Sequence, residues 1–130
     1  LEEGVDLVWH AFNDMEGGEI YVKKIPSMRI IDIATAVSKT AKQKIIGIRP
    51  GEKIHEQMIG LEDAPHTYEY NDHYKILPAI YNWSSDPHRN KGGIKVDKEF
   101  IYSSYNNNQW MSINDLQKWI SHNNNKIGKI

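Results

Sequence analysis

Arg49-Pro50-Gly51-Glu52 is the stretch whose side chains and spacing could do chemistry. A guanidinium offers five donors in a rigid fork that matches phosphate oxygens. A carboxylate three residues later is acceptor-only and suits hydroxyl groups. Pro50 keeps Arg49 extended and presets its own φ, and Gly51 tolerates a backbone angle that other residues resist, so the chain turns sharply here. The β-branched run Ile45, Ile46 and Ile48 predicts a short buried strand over Lys44–Ile48. Glu52 onward predicts a helix to about Ile59, with Ile54 and Met58 four apart. Arg49 would then stand at a strand's end beside the electropositive start of a helix, where an anion can be held. An arginine before a Pro-Gly turn is also the ordinary form of a solvated surface residue, paired loosely with Glu52 or Glu56. Spacing alone favours that plainer reading.

Other chemistries find less support. The six histidines, His10, His55, His66, His73, His88 and His122, form no pair at metal-ligand spacing, so no metal is expected. His55 lies between Glu52 and Glu56, which reads as a solvated face. There is no Ser/His/Asp set with a supporting motif, no glycine-rich phosphate loop, and no tyrosine followed four residues later by lysine. No catalytic residue is assigned, and no cofactor is expected on these residues. Trp9 and Trp119 sit on helical patterns and read as core, whereas Trp83 and Trp110 lie near loops and receive no role.

These residues must be positioned by a modest scaffold. A chain of 130 residues can bury one small core, and 39% hydrophobic with 25% charged residues marks a globular protein. A net charge of −1 offers no basic field for nucleic acid or anionic lipid. Without cysteine there are no disulfides or thiolate metal sites, which is compatible with a reducing cytoplasm. No apolar run approaches bilayer length. The chain starts inside an apolar helical pattern without an initiator methionine, and is expected to be a fragment.

Taken in order, Leu1, Val5, Val8, Phe12 and Met15 predict an amphipathic helix packed on a core and stopped by Gly17-Gly18. Glu19–Lys24 reads as a strand. Ile30, Ile33, Ala34, Val37 and Ala41 predict a second helix, and the strand–helix order fits an α/β layer with neighbouring parallel strands. The apolar faces of both helices should converge on a small sheet containing Glu19–Lys24 and Lys44–Ile48, leaving some apolar surface uncovered. His66–Tyr70, a turn at Asn71-Asp72 and Tyr74–Leu77 suggest a hairpin. Residues 82–98 read as a surface loop, and Phe100–Tyr105 as a short extended piece. The last helix has the clearest start: Ser112 as N-cap, Asp115 three later, and Ile113, Leu116 and Ile120 as its stripe. Residues 123–130 read as a frayed tail, and all of 1–130 as a single lobe.

Several of these segments together resemble one family. Gly17–Val22, Lys24-Ile25-Pro26-Ser27-Met28, Ile45–Glu56, His66-Thr67-Tyr68-Glu69 and Tyr102-Ser103-Ser104 look, in this order, like the last third of inverting UDP-N-acetylglucosamine 4,6-dehydratases. These are extended short-chain dehydrogenases that open pseudaminic-acid synthesis. The resemblance implies a carboxyl-terminal substrate-binding lobe, helices with a small mixed sheet, lacking its NADP-binding Rossmann half. It implies that the full enzyme uses NADP to oxidise the sugar at C4, eliminates water across C5 and C6, and returns the hydride to C6 with inversion at C5. Arg49 would grip the UDP diphosphate and Glu52 the ribose hydroxyls. Further expectations are a UDP-sugar ligand, a homo-oligomeric and cytoplasmic full-length enzyme, and no nucleic-acid or membrane partner. Two other readings stay open: the lobe of a related UDP-sugar epimerase or reductase, and a non-catalytic α/β interaction module.

Overall fold

The structure is a computed structural model that describes residues 2–80 and 86–123. In chain order its elements are α1 (Glu2–Asp14), β1 (Ile20–Lys23), α2 (Ile30–Val37), β2 (Gln57–Ile59), a 3-10 turn (Ala64–His66), β3 (Thr67–Glu69), β4 (His73–Ile76), α3 (Pro87–Asn90), β5 (Ile94–Lys95), β6 (Tyr102–Ser103) and α4 (Ile113–His122). They fall into two compact units, one of residues 1–24 and 57–103, the other of residues 25–56 and 104–130.

The first unit is built on a four-stranded sheet in the order β1-β4-β3-β5, with β2 and β6 forming a separate pair. All these pairings are antiparallel, not the parallel neighbours that the strand–helix order suggests. The β3–β4 link is too short for a parallel crossover: Tyr70 N–H donates to His73 O at 2.9 Å around the expected Asn71-Asp72 turn. All four residues of β4 are buried, and the period of two gives its faces different jobs. Tyr74 and Ile76 join Val22, Ile59 and Tyr102 in the apolar core, with Val96 and Phe100 packed against it. The Tyr74 ring lies 5.2 Å from Phe100 and 5.0 Å from Tyr102.

His73 and Lys75 share the other face, beneath α1. The Lys75 side chain is 1% exposed, and its Nζ donates to Asp14 Oδ2 at 2.8 Å. Tyr21 Oη donates to the same oxygen at 2.6 Å, and Lys91 Nζ lies 3.1 Å from Oδ1. The ammonium also sits over the rings of Tyr70 and Tyr21, at 5.1 and 5.8 Å. Burial alone would push the Asp14 carboxyl up. The hydrogen bonds from Lys75, Tyr21 and Lys91 outweigh it and hold the group well below the usual carboxylate range. Burial, then the bond to Asp14, pushes the Tyr21 hydroxyl up. Burial raises Tyr70 to about 12.

This polar seam corrects the expected orientation of α1. The half-buried positions are Leu7, Ala11 and Asp14, whereas Val5, Val8, Trp9, Phe12 and Met15 are exposed, Phe12 by 66%. A buried ammonium without a counterion costs more than an uncovered apolar stripe, so the helix presents Asp14 to the sheet. The uncovered stripe flanks a groove of about 510 Å³ lined by Gly4, Val5, Val8, Trp9 and Phe12. Trp9 and Trp119 are not core residues; both are more than half exposed.

The predicted 82–98 loop is in part ordered structure. Residues 82–85, with Trp83, lie outside the described residues, but α3 and β5 occupy part of the remainder. Asp86 caps α3 by accepting from His88 N–H at 2.9 Å. Arg89 then reaches Glu19 at 3.2 Å, and Tyr70 Oη donates to Asn90 O. In the second unit α2 stops at Val37, short of the expected Ala41, as Ser38 turns extended. α4 begins as predicted: Ser112 Oγ accepts from Asp115 N–H at 3.2 Å. Of the expected tail, residues 124–130 lie outside the described residues.

Asp14→Asn should lower stability by about 3–5 kcal/mol in urea unfolding, because it strands the Lys75 ammonium. The double variant Asp14→Leu/Lys75→Met should recover most of that loss. The Asp14 carboxyl titrates lower folded than unfolded, so its contribution is complete above the unfolded value near pH 4 and fades as pH falls. Acid unfolding of Asp14→Asn should accordingly be less steep in that range.

Candidate functional site

The corner at Arg49 is a four-residue turn, and its local sequence accounts for it. Glu52 N–H donates to Arg49 O at 3.0 Å, Pro50 occupies the second position, and Gly51 the third with φ +87°. A proline followed by a positive-φ glycine is the requirement of a type II turn. The Glu52 carboxylate folds back, and Oε2 accepts from Arg49 N–H at 2.9 Å. Its other oxygen is 3.9 Å from Arg49 Nε. The Arg49 side chain is 72% exposed and Glu52 half exposed, so the guanidinium fork stays open to solvent while its backbone is fixed.

The flanking elements differ from expectation. Residues 44–48 form no strand, and Ile45, Ile46 and Ile48 are exposed, Ile45 by 88%. Gly47 has φ +81° in the middle of the run, which breaks the pleat. Among the described residues no strand pairs with this segment, and β propensity alone does not make a strand. Residues 52–59 form no helix either. Glu56 N–H donates to Ser104 Oγ at 3.0 Å and Glu56 O accepts from Ser104 N–H at 2.8 Å, which holds the backbone extended before β2. Arg49 thus has no helix N-terminus beside it, and an anion there would rely on the guanidinium and the turn. His55 lies edge-on to Tyr105, ring centres 5.0 Å apart.

A second feature of this unit was not legible in the sequence. Asn107, almost fully buried, donates from Nδ2 to Ile25 O at 2.7 Å and to Ser27 Oγ at 3.0 Å, and accepts from Gln109 N–H at 3.0 Å. Ser27 N–H donates to Gln109 O at 2.8 Å, and Met111 N–H to Ser27 O at 3.0 Å, around a parallel bridge between Ser27 and Trp110. Residues 25–27 are therefore clamped to residues 107–111 by this asparagine and by the backbone bridge. Among the described residues no group of three or more metal-ligating side chains occurs. No described helix is long and apolar enough to cross a membrane.

Along most of its length the chain is similar to known proteins. The family model described as polysaccharide biosynthesis protein matches residues 1–78. Two Campylobacter jejuni proteins named UDP-N-acetylglucosamine 4,6-dehydratase (inverting) are 46% and 44% identical over 127 residues, 94% of this chain. The chain spans 38% of the length of each. A UDP-glucose 4-epimerase of Rickettsia canadensis is 36% identical over 80 residues, covering 58% of this chain and 24% of the relative. The crystal structure of Pen from Bacillus thuringiensis superposes with a TM-score of 0.73 over 93% of this chain and 35% of that one. At 21% identity, that likeness shows the fold.

Gly51→Ala should strain the turn, because an L side chain at φ +87° is disfavoured by about 1–2 kcal/mol. Amide exchange at Glu52, whose N–H closes the turn, should speed up without a matching change in α4.

Proposed function

The chain belongs to the polysaccharide biosynthesis protein family, and on that premise we propose that it is the UDP-sugar-binding part of an inverting UDP-N-acetylglucosamine 4,6-dehydratase. The observation that carries this reading is the 46% identity over an alignment that covers 94% of the chain. An epimerase lobe is the second reading, favoured by the shorter and weaker match to the Rickettsia protein. Both would use the same handle on UDP.

In this proposal Arg49 holds the diphosphate through its open fork, and the turn holds Arg49. The Glu52 carboxylate keeps lone pairs beyond the one engaged by Arg49 N–H, and these accept from ribose hydroxyls. Binding energy gathered on the nucleotide positions the sugar for chemistry performed elsewhere.

The nicotinamide cofactor that such enzymes use finds no match in these residues. There is no glycine fingerprint and no Tyr-x-x-x-Lys pair, and the described strands pair antiparallel, without the βαβ unit that cradles a dinucleotide. We assign NADP, the redox step and the catalytic residues to sequence outside residues 1–130, in a longer cytoplasmic and homo-oligomeric protein. The uncovered apolar stripe of α1 suits coverage by that nucleotide-binding half.

Calorimetric titration of the 130-residue chain and of the longer protein with UDP tests the handle. Arg49→Ala should weaken UDP binding by about 2–5 kcal/mol, as removal of one partner of a charge pair does. Arg49→Lys should recover only part, since an ammonium lacks the planar fork. Unchanged UDP affinity in a folded Arg49→Ala protein would reduce the residue to a surface turn. Purified chain supplied with NADP⁺ and UDP-N-acetylglucosamine should form no 4-keto-6-deoxy product.

A further inference from the structure

We propose a second, sugar-binding surface in the unit formed by residues 25–56 and 104–130: a shallow site centred on Trp110 that takes the face of a neutral pyranose ring. It uses neither Arg49 nor Glu52 and stands independently of the UDP handle. A cavity of about 610 Å³ is lined there by Arg29, Asp32, Trp110, Met111, Ser112 and Asn114, among others.

Trp110 is 53% exposed, but it is held in place. Its Nε1–H donates to Asn107 O at 2.7 Å, and its backbone lies in the bridge to Ser27 that Asn107 secures. The indole is thus fixed through its polar edge while half its surface remains wet. Trp9 and Trp119 are exposed to a similar degree, so it is the anchoring of the Trp110 indole beside a cavity, and not its exposure, that marks it. The electron-rich face of an aromatic ring attracts weakly positive hydrogens, and the axial C–H groups on one face of a pyranose supply them.

Polar groups of both kinds line the same cavity as the indole. Asp32 Oδ2 is engaged by Arg29 Nε at 3.0 Å, which leaves Oδ1 as an acceptor and the terminal Arg29 nitrogens as donors. The first N–H groups of α4, at Ile113 and Asn114, have no helical carbonyl to bond, while the Ser112 hydroxyl is spent on Asp115. Neighbouring hydroxyls each donate and accept, and match an adjacent carboxylate and guanidinium. A bare phosphate would meet the Asp32 charge, and an aliphatic chain would leave these groups dry and unpaired. An apolar platform with a few convergent polar groups is the usual composition of a small-ligand site.

The test is a titration of the ¹⁵N-labelled 130-residue chain with N-acetylglucosamine, followed at the Trp110 indole N–H and the Ile113 and Asn114 amides, with Trp110→Phe identifying the indole signal. A saturable shift of all three is expected. Trp110→Ala should abolish it, Trp110→Phe should retain a weakened response, and Asp32→Asn should weaken it about tenfold, as loss of a hydrogen bond to a charged group does. Arg49→Ala should leave the response unchanged even where UDP binding is lost, so the two sites fail separately. Shifts that stay linear with sugar concentration, that persist in Trp110→Ala, or that uridine monophosphate produces equally at these signals would overturn the proposal.

Discussion

A lysine ammonium closed off from water under a helix is the constraint on which the first unit depends. Lys75 stands in the central strand, where both faces are covered, and its charge cannot be left alone in that position. Asp14 answers it from the last turn of α1, Tyr21 from β1 and Lys91 from beyond α3 converge on the same carboxylate, and Tyr70 and Tyr21 line the ammonium with their rings. One charge thus fixes the position of a helix, two strands and a loop. It also dictates that α1 turns its apolar stripe outward. A hydrophobic pattern reports which residues would profit from cover, and a buried ion pair decides which residues receive it.

That distinction separates what was legible in the sequence from what was not. The Ser112 cap, the Pro50-Gly51 corner, the Gly17-Gly18 stop and the Asn71-Asp72 hairpin were readable because each is settled within a few residues by φ preference or a local hydrogen bond. At Gly18 the constraint is also steric, since a Cβ would come within 2.9 Å of Pro78. The strand expected at Lys44–Ile48 and the helix expected after Glu52 failed for a shared reason. Both rested on side-chain pattern, whereas the backbone of this segment is governed by Gly47, by the Glu52 carboxylate folding back on Arg49 N–H, and by the pairing of Glu56 with Ser104. Lys75 and Asp14, and Asn107 with Ser27, were out of reach because each pair joins residues far apart in the chain.

The candidate site gains from these corrections as well as losing by them. Without a helix behind it, the Arg49 corner loses the favourable dipole that the sequence suggests. What remains is a turn whose backbone is closed twice, by Glu52 N–H and by its carboxylate, around a side chain that stays in water. Such an arginine need not reorganise its backbone to reach an anion, and ordering its exposed side chain costs about 0.5–1.5 kcal/mol. Under the proposed function that anion is the UDP diphosphate, and the open guanidinium fork would be what holds it.

The most direct test of the UDP handle is a ¹⁵N titration of the chain with UDP, observed at the Arg49 Nε–H and the Gly51 and Glu52 amides. Binding through the corner requires these three signals to move together and saturate at one affinity, with smaller changes in the sheet around Lys75. Saturable UDP binding that leaves all three unmoved, or no binding in the longer protein either, would contradict the assignment of Arg49 and Glu52 as the nucleotide's anchor.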